Sequence, residues 1–219
     1  MAERLLMKEF RELSGASWVH VELVRNNIFE WDIGLPVLNK TSMYYGAYLK
    51  AHMTFPRDYP YNPPVFRFLF PILHPNIYSA GWVCISILHP PGDDEMSGED
   101  AAERWSPAQC VESILVSILS LLDDAECYSP ANVDAALLFR FEKEKYLGIV
   151  RGQVQASMGH RPAGFKMPSD ESVAQSNEQP EDLPEEEDFW AASEVDSDVF
   201  DDVDQEEEKQ EESNPAEDR

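Results

Sequence analysis

The stretch WVHVELVRNNIFEWDI, Trp18 to Ile33, decides how this chain is built. Two runs rich in Val, Ile and aromatic residues, WVHVELV (18–24) and IFEWDI (28–33), flank Arg25, Asn26 and Asn27. Asparagine tolerates the positive φ that a tight turn demands, so the stretch predicts a hairpin and commits the first two strands to antiparallel pairing.

Working outward, YLKAHMTF (48–55) sets Leu49, Ala51, Met53 and Phe55 against Tyr48, Lys50, His52 and Thr54, the period of two expected of a half-buried strand. VFRFLF (65–70) supplies a fourth strand, and no helical pattern separates the four runs. An antiparallel meander follows. Upstream, Leu5, Leu6, Phe10 and Leu13 fit one short amphipathic helix, with Arg4, Lys8 and Arg11 elsewhere on it. Downstream, Ser106 as N-cap, Pro107 at the first helical position and Gln109 predict the start of a helix. Its apolar side, Val111, Ile114, Leu115, Ile118, Leu119 and Leu122, is broad enough for a central core helix. Further helices are expected over about 133–145, after Asn132, and over about 146–158, the latter weakened by Gly148 and Gly152. The fold class is α+β: an N-terminal helix, a four-stranded antiparallel meander, a long loop and C-terminal helices.

The apolar pattern dissolves after Gly159. Residues 1–159 read as the folded domain, 160–177 as a linker and 178–219 as a disordered acidic tail, too dense in like charge to bury a core. The formal charge of −25 is concentrated there: from Glu178 onward 20 acidic residues stand against Lys209 and Arg219, a net −18, which leaves −7 on residues 1–177. Cys84, Cys110 and Cys127 show no C-x-x-C or Cys/His ligand spacing. No metal site, disulfide framework or prosthetic group is expected, and a reducing compartment is the natural setting. The N-terminus, MAERLLMKEFREL, lacks the continuous apolar core of a signal peptide, so a soluble intracellular protein is expected. Neither a nucleic acid nor a membrane is an expected partner.

Between Pro71 and Trp105 periodicity fails, and long loops of this kind are usually functional. The loop holds HPNIYSAGWVCISILHPP (74–91), with Cys84 inside a short apolar run. Taken alone, a cysteine among Val83, Ile85 and Ile87 is a packed core thiol more often than a nucleophile. Its companions change the reading: YPYNPP (59–64), HPN (74–76), the Cys84 segment and WSPAQ (105–109) occur in this order and at these distances.

That constellation resembles the ubiquitin-conjugating enzymes over roughly residues 1–155. The resemblance implies that Cys84 accepts the C-terminal carboxyl of ubiquitin as a thioester from the ubiquitin-activating enzyme, which uses the ATP, and passes it to a lysine. It implies that Asn76 donates to the oxyanion as lysine attacks; a competing but compatible reading is that Asn76 mainly holds the loop through backbone hydrogen bonds, as Asn often does in turns. Ser129, in CYSPANVDAA, matches a cleft residue that assists the incoming amine, and equally suits a turn before Pro130. By position Tyr61, Pro107 and Ala108 match the loops that dock a RING ligase, and Arg4 and Lys8 match the helix face used by the activating enzyme. All five also suit ordinary turn, cap and surface positions.

The insertion PPGDDEMSGEDAAER (90–104) carries Asp93, Asp94, Glu95, Glu99, Asp100 and Glu103. With the acidic tail, it is similar to the R-type, or cell-division-cycle, branch. The resemblance implies a cullin-RING partner, an acidic loop that places an acceptor ubiquitin for lysine-48-linked chains, and a tail that engages a basic cleft in the cytoplasm and nucleus. Phe189, Trp190 and Phe200 in the tail are candidate specific contacts, and Ser193 a candidate phosphorylation site. Three features depart from the family pattern: the longer turn GLPVLNKTSMYYGAY with Ala47 for a Gly, Trp82 two residues before Cys84, and Glu126 where an Asn commonly stands. They leave open an alternative, a catalytically weakened relative that serves as a ligase-binding module. A thiol hydrolase using Cys84 is a third and weaker reading.

Overall fold

A computed structural model describes residues 1–92 and 99–162, together with Phe165 and Met167. Helix α1 (Ala2–Gly15) precedes strands β1 (His20–Val24), β2 (Asn27–Pro36), β3 (Tyr48–Thr54) and β4 (Val65–Phe68); helices α2 (Val111–Asp123), α3 (Val133–Phe141) and α4 (Lys143–Ser157) follow. The strands form one antiparallel sheet in the order β1-β2-β3-β4. The expected α+β meander is therefore the observed architecture.

The hairpin is tighter than the sequence suggests. Arg25 and Asn26 take positive φ (51° and 57°), while Asn27 already belongs to β2 and pairs with Val24. Its side-chain oxygen accepts from Phe29 N–H at 3.1 Å, so the strand begins on a local side-chain bond. Register then sorts the side chains by the two-residue period. Trp31 lies opposite Leu23 and Met53, and Ile33 opposite Val21 and Ala51; Asp32, between them, faces outward opposite Glu22 and His52. Trp31 is fully buried, with Phe10 of α1 edge-on at 5.2 Å and Phe55 at 4.8 Å. Truncating an aromatic of this kind typically costs about 3–5 kcal/mol. The alternation fails once: Tyr48, on the polar side of the β3 pattern, is 1% exposed. Its hydroxyl fills the space that a side chain at Gly34 would need, and Phe165 packs edge-on against its ring at 4.9 Å. Packing therefore continues past Gly159, where His160 also stacks on Phe70 with ring centroids 3.5 Å apart.

The helix starts agree less well. Asn132 caps α3 as expected, accepting from Ala135 N–H at 3.1 Å. The expected start of α2 at Ser106 is corrected to Cys110. Residues Ser106 to Gln109 form only a turn, with Gln109 N–H on the Ser106 carbonyl, and the helix opens on a capping box between Cys110 and Ser113. The physical reason lies far away in sequence: the buried carboxylate of Glu9 accepts the Val111 N–H at 2.7 Å and so fixes where the helix begins. The break between the last two helices falls at Glu142, a few residues before the expected position.

Candidate active site

The HPN loop is held by side chains that reach it from distant elements. Leu73, immediately before it, has both backbone groups occupied. Its N–H donates to Gln153 Oε1 of α4 at 2.8 Å, and its carbonyl accepts from the Tyr44 and Tyr146 hydroxyls, which lie 2.7 Å from each other. His74 is fully buried, and its Nδ1 accepts from Asn76 N–H at 3.0 Å. Burial pushes this imidazole down to about 4, with the Leu121 carbonyl opposing, so at neutral pH it is uncharged. Asn76, 4% exposed, spans the cleft: Nδ2 donates to the Glu126 carbonyl at 3.1 Å and Oδ1 accepts from Glu126 N–H at 2.8 Å. Asn132, besides capping α3, donates its backbone N–H to the Pro75 carbonyl at 2.8 Å.

Cys84 is set against this loop by its own backbone, N–H to the Asn76 carbonyl at 2.9 Å. The turn before it closes at Gly81, whose φ of +91° suits glycine and whose missing Cβ leaves room for the Phe68 carbonyl. The thiol is half-buried. Burial raises it above the ordinary thiol value and the Glu99 carboxylate raises it further, with the Tyr78 hydroxyl pulling the other way. No Cys-His dyad emerges. His74 is committed to Asn76, and His89 lies on Glu99, Nδ1 to Oε1 at 2.8 Å. Glu99 also accepts from Ser86 Oγ and Arg104 Nε at 3.2 Å each; burial works against its carboxylate, but His89 first, then Ser86 and Arg104, hold its carboxyl below the usual range. A half-buried thiol beside a rigid loop, without an imidazole base, suits exchange between thioesters, where the leaving thiolate is as good as the attacking one.

The other sequence-predicted residues distribute as follows. Ser129 is exposed in the bend before α3, in the segment that also holds Glu126. Asp100 caps a short 3-10 turn, Ala101–Glu103, by accepting from Ala102 N–H at 3.0 Å. Asp93, Asp94, Glu95 and the acidic tail lie outside the described residues. Tyr61, 59% exposed, and the exposed Pro107 and Ala108 belong to two loops joined where Trp105 Nε1 donates to the Pro60 carbonyl at 2.7 Å. Arg4 and Lys8 are exposed on α1, with Lys8 3.7 Å from Glu12. Trp82 stands on the surface with the Arg67 guanidinium over its ring. Ala47 is buried where Val37 N–H meets its carbonyl at 2.9 Å, so the longer turn closes without a second Gly. No group of residues able to hold a metal occurs among the described residues. Gln153, Tyr44 and Tyr146 were not singled out by the sequence, because contacts between positions so far apart leave no local pattern.

The comparisons agree with this geometry. Residues 5–154 match the ubiquitin-conjugating enzyme family. The chain is 47% identical to ubiquitin-conjugating enzyme E2-34 kDa of Saccharomyces cerevisiae over 206 residues, covering 90% of this chain and 70% of the relative. It is 42% identical to ubiquitin-conjugating enzyme E2 G2 of Homo sapiens over 161 residues, covering 72% of this chain and 97% of the relative. A solved Toxoplasma gondii ubiquitin conjugating enzyme E2 domain superposes with a TM-score of 0.60 at 25% identity, over 71% of this chain and 98% of that one. This chain belongs to the ubiquitin-conjugating enzyme family and is a ubiquitin transferase that works through a thioester, in the branch related to E2-34 kDa.

Proposed function

We propose that Cys84 carries the ubiquitin thioester and that the protein delivers ubiquitin, with a cullin-RING ligase, onto lysines in lysine-48-linked chains. The observation that carries the assignment is the Cys84 N–H to Asn76 carbonyl bond, which fixes a half-buried thiol beside the rigid HPN loop. In charging, the Cys84 thiolate attacks the thioester carbonyl on the activating enzyme; a new C–S bond forms and the activating enzyme's thiolate leaves. In transfer, a lysine amine attacks the same carbon, the amide forms, the amine gives up a proton and the Cys84 thiolate departs. The second Nδ2 hydrogen of Asn76 is available to the oxyanion of that step. Ser129 assists at the edge of the cleft. Arg4 and Lys8 meet the activating enzyme, and Tyr61, Pro107 and Ala108 meet the RING domain.

Two observations support the branch. The match to the yeast relative covers 90% of this chain, so it extends past residue 178 into the acidic segment. The described part of the acidic insertion is anchored beside Cys84 through Glu99 on Ser86 and His89. The Glu126 departure gives little support to an inactive binding module, because its carboxylate accepts from Tyr128 N–H within its own loop.

The test is charging with activating enzyme, ATP and ubiquitin. An adduct cleaved by reductant is expected, with a reductant-resistant ester or nothing in Cys84→Ser. An unchanged adduct in Cys84→Ala would sink the assignment. Discharge to free lysine at the solvent rate would favour the binding module, and ATP-independent cleavage of ubiquitin esters would favour the hydrolase.

A further inference from the structure

Helix α1 buries Ala2, Leu6, Glu9 and Leu13 along one face, and Glu9 is the only charged member of that stripe. It is 6% exposed and faces no cation at hydrogen-bond distance among the described residues. Its partners are neutral. The Tyr59 hydroxyl lies 2.9 and 3.0 Å from its two oxygens, and Val111 N–H lies 2.7 Å from Oε2. Tyr59 starts the loop that exposes Tyr61, and Val111 begins α2 directly after the loop that exposes Pro107 and Ala108. On the far side the same two loops are joined by the Trp105 to Pro60 bond, with the Tyr59 and Trp105 rings 5.8 Å apart.

We propose that Glu9 is a positioning residue for ligase docking: its carboxylate ties α1, the Tyr59 loop and the start of α2 together and sets the spacing between Tyr61 and the Pro107–Ala108 edge. The proposal rests on the reading of that edge as the RING-docking surface. An apolar side chain would fill the same face of α1, but an acceptor there takes the Tyr59 hydroxyl and the Val111 N–H at once, both within reach of Oε2, and fixes their separation. Burial pushes the Glu9 carboxyl above the usual range, with Val111 N–H and the Tyr59 hydroxyl pulling it back. Glu12 raises it, Lys8 lowers it, and Cys110 and Glu112 face it from the start of α2. Burial therefore disfavours the carboxylate form, and the two donors offset part of that effect.

The experiment titrates the RING domain of a cullin-based ligase against discharge of the full-length, charged protein to free lysine. Glu9→Gln, Tyr59→Phe and Tyr61→Ala are compared with wild type, with thermal unfolding measured in parallel. Glu9→Gln and Tyr59→Phe are expected to raise the half-maximal RING concentration about tenfold, which is about 1.4 kcal/mol of docking free energy, and to keep the plateau rate. Glu9→Gln should not lower the melting temperature, because the neutral amide avoids the buried charge. In wild type the half-maximal concentration should rise as acidification protonates Glu9, and in Glu9→Gln that dependence should flatten. A half-maximal concentration unchanged in Glu9→Gln but raised in Tyr61→Ala overturns the role of Glu9 and leaves the docking edge standing. No change in Tyr61→Ala removes the docking edge and the proposal with it. A parallel fall of plateau rate and melting temperature in Glu9→Gln, with Tyr59→Phe unchanged, makes Glu9 an ordinary core residue and also overturns it.

Discussion

The side chain of Asn76 and the backbone of Glu126, 50 positions apart, exchange two hydrogen bonds across the cleft, Nδ2 to the Glu126 carbonyl at 3.1 Å and Glu126 N–H to Oδ1 at 2.8 Å. One amide hydrogen is thereby committed to structure, and the proposed oxyanion role falls to the other. Asn76→Ala should lower unfolding stability by about 1–3 kcal/mol, from the groups left unpaired. It should also slow lysine discharge about 10²- to 10³-fold if the amide serves the oxyanion. Single-turnover discharge beside urea unfolding separates the two effects. Lost stability with normal discharge would confine Asn76 to holding the loop.

His74 makes stability pH-dependent in a defined window. Its folded value of about 4 lies below the unfolded value of about 6.5, so the neutral ring's contribution is fully present above pH 6.5 and is lost as pH falls toward 4. The loss is on the order of 3 kcal/mol. Urea unfolding across this window should show the decline in wild type and a shallower one in His74→Asn, whose carbonyl can still accept the Asn76 N–H. Equal slopes would contradict the assignment.

Glu99 should govern how readily Cys84 ionises. Burial is the larger cause of the raised thiol value and the Glu99 carboxylate the next. In Glu99→Gln the midpoint of Cys84 alkylation against pH should move down, read by mass spectrometry of the Cys84 peptide so that Cys110 and Cys127 do not interfere. An unmoved midpoint would mean that the charge is screened by solvent.

Glycines of one chain should respond in opposite directions. Gly81→Ala places a Cβ against the Phe68 carbonyl at a φ of +91°. It should destabilise by more than about 1 kcal/mol and slow charging, because the turn leads into Cys84. Gly148→Ala, within α4 and with open space around it, should stabilise by about 0.5–1 kcal/mol. Thermal unfolding of both variants checks the pair.

Removal of residues 178–219 should leave Cys84 charging intact and weaken cullin-RING association at low salt. Electrostatic steering changes association rates by about 10- to 10³-fold and fades as the screening length shrinks to about 8 Å at physiological salt. Affinities of full-length and truncated protein should converge as salt rises. Equal affinities at low salt would rule out the guide, and a large loss from combined Phe189→Ala, Trp190→Ala and Phe200→Ala would assign the binding to aromatic anchors instead.

Local pattern was enough to read the hairpin and the alternation of Leu49, Ala51 and Met53, and to place a helix directly after Asn132. Each of these depends on neighbours within a few residues, which is the range over which backbone sterics and side-chain period act. The start of α2 shows where that range ends. Ser106, Pro107 and Gln109 carry good capping chemistry, yet the helix opens at Cys110, because Glu9 reaches Val111 across 102 positions. Tyr48 is buried by Phe165, and Leu73 is held by Tyr44, Tyr146 and Gln153, for the same reason. The sequence by itself determined the elements, their order and the family to which Cys84 and its companions point. Only the tertiary structure decided which distant side chains hold the HPN loop and the two loops around Tyr61 and Pro107 in place. Such bonds join positions with no periodic relation along the chain, and they form only after the core has brought them together.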